Sequence, residues 1–183
     1  MRCSRAARAG LFRGRPALSS LREVEGTVDL VAICVPVAGL LDAVDDALAV
    51  GAKAIVAITA GLSESSEEGR ALEDEIVRRV RDAGSALVGP NCLGVVDTTS
   101  SLQLASDTFH SGTVAVLSQS GNVALDIDSL LHARGLGVSR FVSLGNQSDV
   151  SLADLMLACA DHDGTSAVAV YAEDVRDGRA FVA

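Results

Sequence analysis

From residue 28 onward the chain alternates between two kinds of segment, and this alternation restricts the folds open to it. The runs 28–35, 54–59, 86–88, 114–117, 141–144 and 167–171 are short, apolar and mostly β-branched, which reads as strands covered on both faces. Between them Leu40, Leu41, Val44 and Leu48 recur at helical spacing, as do Leu72, Ile76 and Val80, then Val123, Ile127, Leu130 and Leu131, then Leu152, Leu155, Met156 and Cys159. Strands that alternate with helices need βαβ crossovers, so the predicted fold class is α/β with a doubly wound parallel sheet. Ligands of such sheets sit beyond the carboxyl ends of the strands, and every distinctive turn of this sequence falls at such an end. The helices themselves read as scaffold.

Composition removes several classes of function. With 183 residues, 49% of them hydrophobic and 21% charged, the chain belongs with globular proteins of one or two domains. A net charge of -9 repels a phosphodiester backbone and only 3% of residues are aromatic, so no nucleic-acid partner is expected. The longest apolar run, 28–37, is interrupted by Asp29 and Pro36, and no membrane span is expected. Cys3, Cys34, Cys92 and Cys159 are widely spaced, with no C-x-x-C and no His at ligand spacing. No metal site or disulfide framework is expected from them, and reduced thiols imply a cytoplasmic location.

Two regions break the regular pattern. Arg2, Arg5, Arg8, Arg13, Arg15 and Arg22 all precede the first acidic residue, Glu23, which reads either as an organelle transit segment or as the irregular start of a domain. Between Val95 and Gly112 the segments 97–101 and 106–112 are polar and turn-rich, with one short strand expected near Leu102. The expected organisation is an irregular segment 1–27, a first domain 28–104 and a second domain 105–183. Three strands and two helices are thin for a complete doubly wound domain, and 178–183 reads as the opening turns of a helix, so both domains are expected to be partial.

Four turns carry the chemical argument. Pro36 fixes the exit from one strand, and Thr59 and Gly61 follow another; either turn is also ordinary punctuation of an α/β chain. The turn 89–94, Gly-Pro-Asn-Cys-Leu-Gly, places the Asn91 amide and the Cys92 thiol just past a strand. The alternative is that Asn91 shapes the turn and Cys92 fills space as a small apolar group. The fourth turn, 118–122, is Ser-Gln-Ser-Gly-Asn between an apolar strand and an amphipathic helix. Free backbone N–H groups and the helix dipole favour an anion there, in front of Ser120, Gly121 and Asn122. The competing reading is a helix that simply uses Ser120 as its N-cap.

Four segments in register, 89–94, 114–122, 135–149 and 170–179, resemble the NDP-forming acyl-CoA synthetases. That superfamily includes succinyl-CoA synthetase alpha subunits and ADP-forming acetate–CoA ligases, and the likeness is nearer to the latter. The resemblance runs from about Gly14 to the C-terminus and implies a partial Rossmann-like CoA-binding domain followed by a partial flavodoxin-like, succinyl-CoA synthetase-like domain. It implies a reversible ligation of a small carboxylic acid to coenzyme A at the expense of ATP or GTP with magnesium, through an acyl phosphate and a phosphohistidine. Pro36, Thr59 and Gly61 then match strand ends beside CoA. Asn91, Cys92, Gly145 and Asn146 match loops on the acyl side. Ser120, Gly121 and Asn122 match the turn that holds the phosphoryl group, and Glu173 matches the acid that orients the phosphorylated histidine.

The sequence also departs from that family. No glycine-rich strand-turn unit precedes Val28, so weak CoA binding is expected. His110, His132 and His162 do not fall in the family's histidine loop, and the ATP-grasp portion, a beta-type subunit or fused domain, is expected as a partner. The expected function is a fragment of an alpha-type subunit that is inactive alone. The alternative is a CoA-binding or regulatory module like the synthetase-like part of protein acetyltransferases. A nicotinamide dehydrogenase is disfavoured, because no G-x-G-x-x-G follows a strand.

Overall fold

The computed structural model describes residues 11–12, 15–176 and 178–182, and the arginines at 2, 5, 8 and 13 lie outside them, as does Cys3. The strands are β1 (Leu11–Phe12), β2 (Arg15–Pro16), β3 (Leu30–Ile33), β4 (Ala54–Ala57), β5 (Ala86–Val88), β6 (Gly94–Asp97), β7 (Leu102–Ala105), β8 (Ser111–Ser118), β9 (Val138–Ser143) and β10 (Ala167–Tyr171). The helices are α1 (Leu40–Ala49), α2 (Glu67–Asp82), α3 (Gly121–His132), α4 (Leu152–Ala160) and α5 (Gly178–Val182). β3, β4 and β5 form a parallel three-stranded sheet, with Val31 opposite Ile55 and Ile55 opposite Leu87. The second sheet runs β10-β8-β9-β6-β7. Its β10, β8 and β9 are parallel, while β6 and β7 run antiparallel at one side.

Side-chain alternation along β8 explains why helices cover both faces of the second sheet. Val114 and Val116 face α3, where they join Ala124, Phe109, Val138 and Phe141 in one cluster. Ala115 and Leu117 face α4 and join Leu144, Leu152 and Cys159 in another. A strand interior to a doubly wound sheet therefore reads as an unbroken apolar run although its residues divide between two cores. In the first sheet Leu40, Val44 and Ala47 from α1 and Ile76 and Val80 from α2 close over Ile33, Ile55 and Leu87.

The six expected strands are present, two of them, β5 and β10, with the expected limits. The expected strand 28–35 shortens to Leu30–Ile33 because Pro36 leads directly into the turn Val37–Gly39, which feeds α1. The stretch read as a linker holds β6 as well as β7, and residue 104 lies inside β7. A four-residue antiparallel strand ending in Asp97 has too few side chains to show a period, and its pairing with β9 comes from distant sequence.

Asp97 holds the bend after β6. Burial opposes its ionisation, but the Thr99 hydroxyl, the Ser100 N–H, the Arg140 guanidinium and the Thr99 N–H outweigh that and bring its carboxyl down to about 2. A carboxyl depressed in the folded state contributes stability above its unfolded value near 3.8, and that contribution is lost as pH falls toward about 2. Replacing Asp97 by Asn should therefore flatten the acid limb of the stability profile below about pH 4, measured by urea denaturation. Phe141 is fully buried and its ring stacks on Phe109 with centroids 4.2 Å apart. Phe141→Ala should cost about 3–5 kcal/mol in the same assay.

Candidate functional site

The carboxyl ends of parallel strands from both sheets meet through their turns. The Asn91 N–H donates to Thr59 O at 2.9 Å, joining the turn after β5 to the end of β4. The Asn146 N–H donates to Pro90 O at 2.9 Å and the Ser148 N–H to Gly89 O at 3.2 Å, joining the turn after β9 to the same segment. The Leu144 N–H donates to Ser118 O at 2.8 Å, and the Gln119 N–H to Tyr171 O at 3.0 Å. The turns after β4, β5, β9, β8 and β10 thus form one hydrogen-bonded rim. Gly145 permits its closest approach, because at φ +54° a Cβ there would lie 2.1 Å from Pro90 O and 2.4 Å from Asn91 O.

The rim contains an uncapped helix. The α2 N-cap, Ser66, accepts from the Gly69 N–H, and α4 has a reciprocal Ser151–Asp154 capping box. Ser120 occupies the N-cap position of α3 with extended backbone, but its side chain accepts no cap bond. Instead the Ser118 hydroxyl donates to Ser120 O at 2.5 Å, and the Gln119 side chain turns away to accept the Glu173 and Asp174 N–H groups. Among the described residues no protein acceptor meets the N–H groups of Gly121, Asn122 and Val123. Such unpaired donors at the positive end of a helix dipole suit an anion. Of the two readings of Ser120, an N-cap by side chain is the one this geometry does not show. Gly121 fits against Leu93, whose side chain would lie 2.4 Å from an added Cβ.

The remaining sequence-derived residues are distributed along the same rim. Pro36 is exposed at the end of β3, and the buried Thr59 hydroxyl donates to Val35 O at 2.6 Å, tying that exit to the end of β4. Gly61, at φ +97°, donates its N–H to Glu64 Oε1 at 2.5 Å. Asn91 is exposed and its Nδ2 donates to Asn146 Oδ1 at 3.2 Å. Glu173 is exposed, with its backbone pinned beside Gln119. Cys92 behaves differently: it is 5% exposed, its thiol donates to Ala57 O at 3.3 Å, and burial pushes its thiol up to about 11. That environment is the one of the small apolar space-filler.

Several residues of the rim escape sequence reasoning. The Asn146 Nδ2 lies within hydrogen-bond distance of Glu64, Glu73 and Ser63, and Arg176 Nη2 donates to Asn146 O at 2.8 Å. Glu73 carried a signal: it shares the buried stripe of α2 with Gly69, Ile76 and Val80, where a carboxylate needs a reason. Gln119 and Arg176 carried none beyond their place in turns. Among the described residues no group of three or more His, Cys, Asp or Glu side chains is placed to hold a metal ion. No described helix is long and apolar enough to cross a membrane.

Comparison with known proteins finds relatives of both halves of the chain. Residues 6–98 match the CoA binding domain family and residues 111–183 the succinyl-CoA ligase like flavodoxin domain. The alpha subunit of acetate–CoA ligase [ADP-forming] II from Pyrococcus furiosus is 37% identical over 171 residues, covering 93% of this chain and 37% of that protein. The acetate–CoA ligase [ADP-forming] I of Archaeoglobus fulgidus is 34% identical over 92% of this chain and 25% of its own length. A solved Pyrococcus horikoshii protein superposes with a TM-score of 0.93 at 34% identity, covering 99% of this chain and 42% of that one. The acetyl-coenzyme A synthetase 1 of Ca. Korarchaeum cryptofilum, solved with phosphate and ADP, superposes at 0.85 and 30% identity, over 92% of this chain and 36% of its own. The fold and rim define a CoA-binding domain joined to a succinyl-CoA ligase-like domain. This chain belongs to the NDP-forming acyl-CoA synthetase family, in its alpha-type part, and it spans well under half the length of these relatives.

Two measurements check the rim. At pH 8 iodoacetamide should modify the exposed Cys34 and leave Cys92 unmodified in the folded protein, read by peptide mass spectrometry. Gly145→Ala should destabilise the protein by about 1–3 kcal/mol, because neither Pro90 nor Asn91 backbone can retreat without breaking the rim.

Proposed function

We propose that this chain supplies the CoA-side and phosphoryl-cradling walls of an acid–thiol ligase that forms acyl-CoA, ADP and phosphate from a carboxylic acid, CoA and ATP. The observation that carries the reading is the uncapped N-terminus of α3, set on a rim built from both matched domains. In that reading residues 28–104 and 105–183 are the two parts, and Pro36, Thr59 and Gly61 border the CoA path. The N–H groups of Gly121 and Asn122, beside Ser120, take the phosphate oxygens of an acyl phosphate or of inorganic phosphate. Asn91, Gly145 and Asn146 shape the acyl side, with Cys92 as buried support. The Glu173 backbone is held beside Gln119, and in this reading its carboxylate accepts a hydrogen bond from one imidazole nitrogen of an incoming histidine and directs the other toward phosphorus.

That histidine is not one of the three in this sequence. His110 Nδ1 pairs with Asp128 at 2.9 Å and its ring stacks on His132 with centroids 3.6 Å apart. His162 is held by Thr99 and Thr165. In this reading the phosphohistidine, and the ATP-grasp part that charges it with ATP or GTP and magnesium, are supplied by a partner subunit or fused domain, and the proposal puts the assembly in the cytoplasm. The names of several relatives as ADP-forming CoA ligases support this reading.

The 183-residue chain mixed with acetate, ATP, magnesium and CoA should give no acyl-CoA and no phosphohistidine on His110, His132 or His162; either product contradicts the proposal. In the assembled ligase Glu173→Gln should lower kcat by about 100-fold or more with the KM for CoA little changed, as expected for loss of a group that acts on proton position.

A further inference from the structure

Among the described residues Glu73 is the one buried carboxylate that joins the two domains at the rim. It rises from α2, under the first sheet, and is 5% exposed. Its Oε2 accepts the Ser63 N–H at 3.2 Å, from its own domain, and the Asn146 amide at 2.9 Å, from the turn after β9. Its Oε1 accepts the Ser148 hydroxyl, two residues further along that turn. Asn146 passes the constraint on in three directions: its Oδ1 accepts from Asn91, its carbonyl accepts from Arg176, and its N–H holds Pro90 O. One residue earlier Gly145 abuts the Pro90 and Asn91 carbonyls, and one before that the Leu144 N–H is bonded to Ser118 O, where the α3 cradle begins. A buried carboxylate is retained at such a cost in desolvation only where donors hold it, and here three do, the Asn146 amide being shared with the Glu64 carboxylate.

We infer that Glu73 is a positioning residue: its carboxylate sets the 144–148 turn against the first domain and through it fixes the aim of the Ser118–Asn122 anion cradle. The inference rests on the reading of that cradle as an anion site, and it goes beyond it by assigning the geometry to a side chain on a helix of the other domain. Charge is secondary to acceptor placement. A glutamine can put its carbonyl oxygen where Oε2 now sits and turn its amide toward the Ser148 oxygen, which accepts in place of donating. An alanine leaves the Ser63 N–H and the Ser148 hydroxyl without their buried acceptor, and leaves the Asn146 amide to Glu64 and the Ser63 hydroxyl alone.

The test is a titration of the 183-residue protein with inorganic phosphate, followed by the amide resonances of Gly121 and Asn122 in wild type, Glu73→Gln and Glu73→Ala. Melting temperatures and amide exchange at 144–148 are recorded in parallel. Phosphate affinity should fall about tenfold or more in Glu73→Ala and stay within about threefold in Glu73→Gln, with faster exchange at 144–148 in the alanine variant only. A folded Glu73→Ala protein with wild-type phosphate affinity and wild-type exchange overturns the inference. If phosphate moves neither resonance in wild type, the anion reading fails, and the exchange comparison alone then decides whether Glu73 positions the turn. If Glu73→Ala does not fold, Ser148→Ala takes its place: a smaller loss of affinity with faster exchange supports the assignment, and no change in either overturns it.

Discussion

The site depends on a few backbone hydrogen bonds between turns, some within one sheet and some from one sheet to the other. The Asn91 N–H to Thr59 O bond and the Asn146 N–H to Pro90 O bond carry the 89–93 segment between the two domains as a shared wall. Neither sheet alone contains the rim. The strand ends of a parallel sheet leave peptide groups facing outward, and here those groups are satisfied by the neighbouring domain where they would otherwise need water or a ligand. The close fit explains why Gly145 stands where it does, since a side chain at that point meets two carbonyl oxygens.

Against this background of satisfied groups, the start of α3 stands apart. Its neighbours in sequence, α2 and α4, have serine caps of the usual kind. At α3 Ser118 is engaged with Ser120 O and Gln119 with the 173–174 backbone, and the Ser120 side chain makes no cap bond. The chain thereby spends its local polar groups on the shape of the turn and leaves the helix donors open. An anion is the partner that both the dipole and the geometry favour.

Much of this was legible in the sequence, for identifiable reasons. Strands such as β5 and β10 stood out because a buried parallel strand is short, β-branched and bounded by turn residues. Thr59, Gly61, Gly121 and Gly145 stood out because turns at strand ends use hydroxyls and glycines. β6 did not, since its identity as a strand lies in pairing with β9 and not in its own four residues. Cys92 could be read two ways from sequence, and only burial distinguishes a thiol that faces Ala57 O from one that faces a ligand. Glu73 carried only the signal of a carboxylate in a buried helix stripe, because its partners Asn146 and Ser148 lie in the other domain, and Arg176 carried none because it meets a backbone carbonyl 30 residues away.

The central claim is that the open end of α3 is an anion cradle aimed into the rim formed by both domains. A crystal structure of the protein grown or soaked in phosphate tests it most directly. The account predicts a phosphate whose oxygens accept from the Gly121 and Asn122 N–H groups, with Glu173 beside it and the Asn146 turn in place. Ordered phosphate found only elsewhere, with the α3 donors facing water, contradicts it.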